Sequence, residues 1–292
     1  MLSSVEELRH GYAELDSVRL HYVEAGEGPL VVLLHGFPDF WYGWRLQIAP
    51  LAAAGFRVVA PDMRGYNLSA TPPGIASYRA ALLAGDVRDL IAERGGDDGA
   101  LLAGHDWGGA VAWATAMRHP DSVRRLAILN VPHPRRMYEG LRTARQLRRS
   151  WYMLLFQLPG VSERLLRVRR FRALRRPFAD ARPGTYGDSD IDRYVEAWSQ
   201  PGALTSMLDY YRAAARAGGP GGRGMRPVTA PTLVIWGERD RHLGAELAEP
   251  DPVDVPNLER VVRIPTASHW VAQDEPELVN RLLMEFFAAD RS

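Results

Sequence analysis

Residues 101–111 read LLAGHDWGGAV. The apolar start predicts a strand, and Gly104 and Gly108 frame a sharp turn that leads into a helix. Turns of this kind expose a catalytic nucleophile, which is usually a serine. Here the position is held by Asp106, so the attacking group is expected to be a carboxylate rather than a hydroxyl.

The composition is typical of a folded soluble protein. The chain has 292 residues, of which 46% are hydrophobic, enough for a sizeable core. A net charge of +1 gives no general reason to expect a nucleic-acid or membrane partner, and the absence of cysteine excludes disulfides and thiolate metal sites. The N-terminus lacks the apolar core of a signal peptide, and the longest apolar runs are far too short to span a bilayer. We therefore predict a cytoplasmic location.

Short apolar runs alternate with helical patterns along most of the chain. Six of these runs are apolar nearly throughout, as in parallel strands that are covered on both faces: 30–36, 57–62, 100–106, 125–131, 232–240 and 260–265. The run VRLHYVEAG at 18–26 alternates instead, and it could pair with YAELD as a hairpin. We therefore predict an α/β fold with a mostly parallel, doubly wound sheet, formed by residues 1–131 and 225–292.

Residues 132–224 lack strand patterns and are predicted to be a helical cap. One helical period is formed by Leu147, Trp151, Leu154, Leu155 and Leu158, and a second by Leu204, Leu208 and Tyr211. Residues 135–176 hold 13 arginines against two glutamates, which we interpret as a solvated, basic helix face. Such an insert is expected to cover the carboxyl ends of the strands, where open α/β sheets bind ligands.

Two further residues follow Asp106 in the order that hydrolases with this kind of turn use: first an acidic residue and then a histidine base. Asp240 comes directly after the strand run TLVIWGER, and His269 lies in TASHWV after the last strand run. Loops that follow parallel strands converge on one edge of the sheet, so these side chains are expected to meet Asp106. Glu238 is a weaker candidate for the acid, and Asn130, at the alternative acid position, cannot supply a charge.

Several motifs together resemble one enzyme family. They are HGFP at 35–38, DMRGYNLSATPPG at 62–74, GHDWGG at 104–109, NVPHP at 130–134, WYMLLFQLPG at 151–160 and SHWV at 268–271. In this combination the chain resembles a soluble epoxide hydrolase of the α/β-hydrolase fold over nearly its whole length.

The resemblance implies a mechanism and a set of roles. Asp106 would open the oxirane, and His269 with Asp240 would direct water onto the resulting ester. Two cap tyrosines would hold the epoxide oxygen, and they match Tyr152 and Tyr211. The family commonly has tryptophan where this chain has Tyr210, which leaves Tyr210 as an alternative to Tyr211. The implied partners are a small hydrophobic epoxide and water, without nucleic acid, integral membrane association, cofactor or metal, and homodimer formation is left open.

The loop at 35–45, HGFPDFWYGWR, completes the expected site. In hydrolases of this fold such a loop donates one oxyanion N–H, and the residue after the nucleophile donates the other. Those donors would be the backbone amides of Phe37 and Trp107. The substrate pocket is expected to be lined by His35, Pro38, Trp41 and Trp270.

Two alternative functions share these residues. Haloalkane dehalogenases also use an aspartate, a histidine and an acid, but their loop resembles HGNP, whose asparagine serves the halide, whereas this chain has Phe37. A non-catalytic receptor on the same fold would tolerate the loss of a catalytic residue, and none is missing here. Asp has a reference pKa of about 3.9, so it is anionic at neutral pH and can attack the strained ring carbon directly.

Overall fold

Eight strands form one sheet in the computed structural model, which describes residues 8–96, 98–217 and 225–290. The strands are β1 Arg9–Glu14, β2 Arg19–Ala25, β3 Leu30–Leu34, β4 Arg57–Pro61, β5 Ala100–His105, β6 Val123–Leu129, β7 Thr232–Gly237 and β8 Leu258–Ile264. Their order across the sheet is β1-β2-β4-β3-β5-β6-β7-β8.

The direction of the strands confirms the predicted sheet. β1 and β2 form the antiparallel hairpin, and β2 also pairs antiparallel with β4. Every pair from β4 to β8 is parallel. The central strands β3 and β5 are fully buried, which explains why they are apolar throughout rather than alternating.

Helices cover both faces of the sheet and fill the connection between β6 and β7. Around the sheet lie α1 Arg45–Ala53, α2 Ala80–Glu93, α3 Trp107–Arg118, α10 Val271–Asp274 and α11 Pro276–Ala288. Between β6 and β7 lie α4 Pro134–Gly140, α5 Ala144–Arg149, α6 Tyr152–Leu155, α7 Val161–Arg175, α8 Asp188–Ser199 and α9 Ala203–Arg216. Short 3₁₀ helices occupy Trp41–Trp44, Ile75–Tyr78, Pro120–Ser122, Arg176–Asp180 and Ala245–Leu247. No helix in the described ranges combines the length and apolar character that a membrane span requires.

The helical insert, α4–α9, is described over residues 134–217. The last residues of the predicted cap, 218–224, lie outside the described residues, as do residues 1–7, 97 and 291–292 of the predicted core.

Helix α8 is tied to the loop after β3. The hydroxyl of Tyr194 donates to Oδ1 of Asp39 at 2.9 Å, and Nε1 of Trp198 donates to the carbonyl oxygen of Pro38 at 2.5 Å. All four residues are buried. The insert therefore packs on this loop through paired polar groups rather than through apolar contact alone.

Helix α9 is tied to the connection that follows β4. The hydroxyl of Tyr210 donates to the carbonyl oxygen of Arg64 at 2.8 Å, and the hydroxyl of Tyr78 lies 2.7 Å from Oγ of Ser206. Because these groups are also buried, α8 and α9 have a fixed position over the sheet.

The helical period at residues 147–158 falls on two short helices, α5 and α6, that are joined by turns. Leu147, Trp151, Leu154 and Leu158 are exposed, not buried. The reason is that this segment turns a different face inwards, on which Gln146 and Phe156 are buried.

Candidate active site

Asp106 lies at the junction between β5 and α3, where the backbone turns sharply. Its φ of 50° and ψ of −123° are unusual for a residue with a side chain, and such strain is typical of functional sites. The turn requires small neighbours, because a Cβ on Gly108 would collide with the backbone carbonyl of Leu34, and one on Gly104 with the carbonyl of Gly108. These contacts give a physical reason for the glycines around Asp106.

The Asp106 carboxylate is held by one oxygen. The backbone N–H of Phe37 donates to Oδ1 at 2.7 Å, and Oδ2 faces Nε2 of His269 at 3.6 Å. Trp107 begins α3, so its backbone N–H belongs to the first turn, where helices leave N–H groups without a helical partner. Burial opposes the charge on Asp106, but the neighbouring His269 outweighs it and lowers the pKa of this carboxyl. Asp106 is therefore an anion with Oδ1 held by a backbone N–H and Oδ2 in a longer ion pair with His269.

His269 is oriented by Asp240. Nδ1 of His269 lies 2.7 Å from Oδ2 of Asp240, and both side chains are buried. Burial alone would lower the pKa of His269, yet the carboxylates of Asp240 and Asp106 raise it to about 10. Burial would raise the pKa of Asp240, but His269 lowers it to about 2. His269 is thus an imidazolium that lies between the carboxylates of Asp240 and Asp106.

Three donors fix the Asp240 carboxylate in place. The backbone N–H groups of His242 and Leu243 donate to Oδ1 at 2.7 and 2.9 Å. Nδ2 of Asn130 donates to Oδ2 at 2.9 Å. From the sequence alone, Asn130 is only a residue that cannot replace the acid. In the structure it lies at the end of β6 and donates to Asp240.

His105 supports the His269 backbone. Nε2 of His105 lies 2.8 Å from the carbonyl oxygen of His269, and the two rings are 4.7 Å apart. Burial and the nearby His269 lower the pKa of His105 to about 4, so this ring is neutral at pH 7. A carbonyl oxygen only accepts, so Nε2 of His105 carries the proton.

Tyr152 and Tyr211 come from different helices of the insert and meet above Asp106. Their ring centroids are 6.1 Å apart, and the ring of Tyr211 lies edge-on to Trp107 at 4.9 Å and to Phe37 at 5.2 Å. Burial and the negative charge of Asp106 raise the pKa of both tyrosines, so both hydroxyls keep their protons. The hydroxyl of Tyr210, by contrast, is already bonded to the carbonyl oxygen of Arg64.

The four expected pocket residues lie in different surroundings. Both ring nitrogens of His35 are used by the backbone: Nδ1 lies 3.0 Å from the carbonyl of Gly36, and Nε2 accepts from the N–H of Met63 at 2.9 Å. Pro38 follows a cis peptide bond and accepts from α8. Trp41 packs edge-on against His10 of β1 at 5.6 Å.

Trp270 is fully buried behind His269. Its ring stacks on Phe178 at 4.6 Å and lies 5.4 Å from the ring of His269, and its Nε1 donates to the carbonyl of Pro177 at 2.8 Å. It thereby joins His269 to the insert.

Sequence reasoning missed two titratable groups beside the site. Asp39 is buried, and burial raises its pKa to about 7 although Tyr194 donates to it. The ring of His242 lies 5.4 Å from that of His269 and 5.8 Å from that of Tyr152. His242 follows Asp240 by two residues, which is the one sequence signal that could have indicated it.

Comparison with known proteins supports one family. Residues 29–276 match the family described as alpha/beta hydrolase fold. An AB hydrolase superfamily protein of Bacillus subtilis is 43% identical, over 94% of this chain and 96% of that protein. Epoxide hydrolase 3 of Xenopus tropicalis is 38% identical, over 99% of this chain and 80% of that protein.

Solved structures agree with the sequence relatives. The crystal structure of an epoxide hydrolase of Bacillus megaterium, in complex with an inhibitor, has a TM-score of 0.86 and 33% identity, over 95% of this chain and all of that one. An epoxide hydrolase of Vigna radiata has a TM-score of 0.84 and 28% identity, over 98% and 99% of the two chains. The predicted α/β-hydrolase fold is therefore confirmed, and the chain belongs to the α/β-hydrolase family and, within it, to the group of the epoxide hydrolases.

Proposed function

We propose that the protein hydrolyses a small hydrophobic epoxide to a vicinal diol through a covalent ester on Asp106. The observation that carries this proposal is the state of the Asp106 carboxylate, with Oδ1 bonded to the Phe37 N–H at 2.7 Å and Oδ2 facing only Nε2 of His269, at 3.6 Å. An anionic oxygen at a nucleophile turn needs no deprotonation before it attacks. The epoxide hydrolase names of the relatives support the same reaction.

In the first half-reaction, Oδ2 of Asp106 attacks a ring carbon of the epoxide. The new bond joins Oδ2 to that carbon, and the electron pair of the broken C–O bond stays on the epoxide oxygen. Tyr152 and Tyr211 face this oxygen, and one of them gives it a proton. Their raised pKa values mean that the proton stays on the tyrosine until the more basic alkoxide forms.

In the second half-reaction, water hydrolyses the ester. His269 takes a proton from the water, whose oxygen attacks the carbonyl carbon of the Asp106 ester. Negative charge then develops on Oδ1, where the Phe37 N–H already lies and the Trp107 N–H is the second donor. The C–Oδ2 bond then breaks, and the diol leaves with the former Oδ2 and takes the proton that His269 accepted. The second proton of the water passes from the Asp106 carboxyl to His269, which restores the resting carboxylate and imidazolium.

The charges of the resting site suit this order of events. His269 is an imidazolium because two carboxylates face it. Ester formation removes the charge of Asp106, which lowers the pKa of His269 and favours the neutral base. The proton that His269 then releases returns to the tyrosinate, which had given its own proton to the alkoxide.

We also propose that the helical insert acts as a cap of this site. It supplies both tyrosines, from α6 and α9, whereas Asp106, Asp240 and His269 all follow strands of the sheet. The described chain thus supplies the nucleophile from the sheet and the two proton donors from the insert.

A substrate comparison tests the proposed function. The purified protein is offered aryl and alkyl epoxides beside matched bromoalkanes, and both diol and bromide are measured. We expect diol from the epoxides and no bromide. Bromide without diol would assign the protein to dehalogenation instead, and the absence of both products would indicate a non-catalytic receptor.

A further inference from the structure

Exposed apolar side chains are concentrated on one segment of the insert. Among the described residues, thirteen large hydrophobic side chains are exposed, and seven of them lie within residues 147–168. We call these seven the apolar stripe: Leu147, Trp151, Leu154, Leu158, Val161, Leu165 and Val168. Leu154 is 73% exposed and Trp151 is 62% exposed, which is unusual for side chains of this size.

The apolar stripe follows the turns of the backbone. Its members are three or four residues apart throughout, and they lie on α5, α6 and α7 and on the turns between these helices. The N–H of Leu154 donates to the carbonyl oxygen of Trp151 and that of Leu158 to the carbonyl oxygen of Leu155, so the chain keeps tight turns up to Leu158. Helix α7 carries the last three members, and its helical backbone is interrupted from Val168, the last of them, to Phe171.

The opposite face of the same segment is buried in the protein. Phe156 and Leu166 belong to the core, and Ser162 donates to the carbonyl of Leu158 at 2.8 Å. The outward orientation of the apolar stripe is therefore set by internal packing. The apolar stripe is therefore a second apolar face of the segment, separate from the face that packs on the core.

Arginines flank the apolar stripe without neutralising partners. Arg148, Arg164 and Arg167 are exposed, alternate with its members, and have no acidic side chain within 4.0 Å among the described residues. The one carboxylate between residues 140 and 179 is Glu163, which is buried and paired with Arg212 at 2.8 Å. The segment therefore presents apolar and cationic groups together.

We propose that the apolar stripe and its flanking arginines dock the protein on an anionic lipid surface. Such a surface accepts apolar side chains at the level of the headgroups and attracts cations to its phosphates. The charge decides between this occupant and a second copy of the chain. A symmetric dimer through this face would bring like charges together, whereas an anionic membrane complements them.

The location of the stripe links docking to the site. Trp151 and Tyr152 are adjacent, and Tyr152 turns inwards towards Asp106 while Trp151 points outwards. A hydrophobic compound dissolved in the bilayer would thus meet the protein at the segment that supplies Tyr152 to the proposed site. Docking itself does not depend on the proposed reaction, so the two can be tested separately.

Vesicle sedimentation without substrate tests the docking proposal. The full chain is mixed with vesicles of phosphatidylcholine alone, or of a two-to-one mixture of phosphatidylcholine and phosphatidylglycerol. We expect binding to the mixed vesicles only, and a decrease in binding as salt screens the arginines. Equal binding to both vesicle types, or none to either, would overturn the proposal.

Two sets of variants place the binding on this face. The triple variant Arg148→Gln, Arg164→Gln, Arg167→Gln is expected to bind about a hundredfold more weakly, at about fivefold for each arginine. The matched control Arg118→Gln, Arg239→Gln, Arg281→Gln has the same net charge but alters exposed arginines elsewhere, and it should bind like the wild type.

The double variant Trp151→Ser, Leu154→Ser should lose at least about tenfold in binding. Its control is Val253→Ser, which changes a side chain that is 75% exposed in a distant loop. Circular dichroism and thermal melting confirm that each variant is folded. A concentration-dependent dimer in sedimentation velocity that the double variant abolishes would instead identify the stripe as a subunit interface, and the proposal would be wrong.

Discussion

Phe37 donates its backbone N–H to Oδ1 of Asp106 at 2.7 Å, so the carboxylate is held by one oxygen and presents the other. The two oxygens therefore have different surroundings before any substrate binds. In the proposed mechanism this difference assigns attack to Oδ2 and oxyanion stabilisation to Oδ1.

That assignment predicts where the oxygen of water goes. In a single turnover in oxygen-18 water, with enzyme in excess, the diol should stay unlabelled because its new oxygen comes from Asp106. Mass spectrometry should find the label in the peptide that contains Asp106. Label in the diol of the first turnover would exclude the covalent route.

His269→Ala should separate the two half-reactions. Because Asp106 keeps the Phe37 N–H on Oδ1 and His269 takes no part in the attack itself, the variant should still open the ring. The ester should then persist because no base activates water. Intact-protein mass spectrometry should show an increase equal to the whole epoxide. Asp106→Ala should show no adduct, and Asp240→Asn should retain slow turnover.

The control for this experiment is His119→Ala, which removes a half-buried histidine at the end of α3 and should turn over normally. If His269→Ala is folded but neither turns over nor accumulates the ester, His269 is needed for ring opening as well. The division of roles proposed above would then be wrong.

Tyr152→Phe and Tyr211→Phe should each slow ring opening by about 10²–10⁴-fold, the usual contribution of a positioned proton donor. Stopped-flow measurement of ester formation checks this step directly. Tyr210→Phe is the matched control, since its hydroxyl is bonded to the carbonyl of Arg64. It should keep the rate of ring opening and instead lower the free energy of unfolding by about 1–3 kcal/mol. The reverse pattern between Tyr210 and Tyr211 would transfer the donor role to Tyr210.

The His269 imidazolium should contribute stability that depends on pH. Its pKa is raised from 6.5 in the unfolded chain to about 10 in the fold. The contribution is therefore fully present below pH 6.5 and is lost as the pH rises towards about 10. In urea unfolding, the difference in free energy of unfolding between the wild type and His269→Gln should shrink across this range. His119→Gln should show no such change there, because the pKa of His119 is lowered rather than raised.

The turn at Asp106 should not tolerate a larger residue at Gly108. A Cβ at this position meets backbone atoms of β3, which cannot rotate away. We expect Gly108→Ala to lower the free energy of unfolding by about 1–3 kcal/mol or more. Gly85→Ala is the control, because nothing lies within 4 Å of its added Cβ in α2. It should raise stability by up to about 1 kcal/mol, and equal effects of the two changes in thermal melting would contradict this account.

The sheet could be predicted from the sequence because its central strands are buried on both faces. Apolar runs such as 30–36 and 100–106 therefore mark β3 and β5 directly. The turn at Asp106 could also be predicted from the sequence, since it depends on the nearby Gly104 and Gly108. The positions of Asp240 and His269 relative to Asp106 follow from parallel strands that end at one edge.

Other features depend on long-range packing and could not be read locally. Tyr210 and Tyr211 are neighbours on α9, and the sequence does not show which of them faces Asp106. In the fold, the Tyr210 hydroxyl donates to the carbonyl oxygen of Arg64, whereas the Tyr211 ring packs against Trp107. The raised pKa of Asp39 arises from burial under α8, which no neighbouring residue in the sequence indicates. Leu154 belongs to an apolar helical period but is exposed. A period in the sequence shows that residues share a face, but it does not show whether that face points to the core or to solvent.

The hydrogen bonds that tie α8 and α9 to the loops of the sheet constrain how a substrate can enter. Lifting the whole insert would break at least these four buried bonds, at about 1 kcal/mol each, and further ones such as that from the Gly244 N–H to Oε1 of Gln146. Fewer than about one molecule in a thousand would therefore be open at a given time. Substrate and product are therefore expected to reach and leave Asp106 through a narrow passage that opens by side-chain rotation. The width of that passage, rather than the energetics of a hinge, would then select which epoxides are admitted.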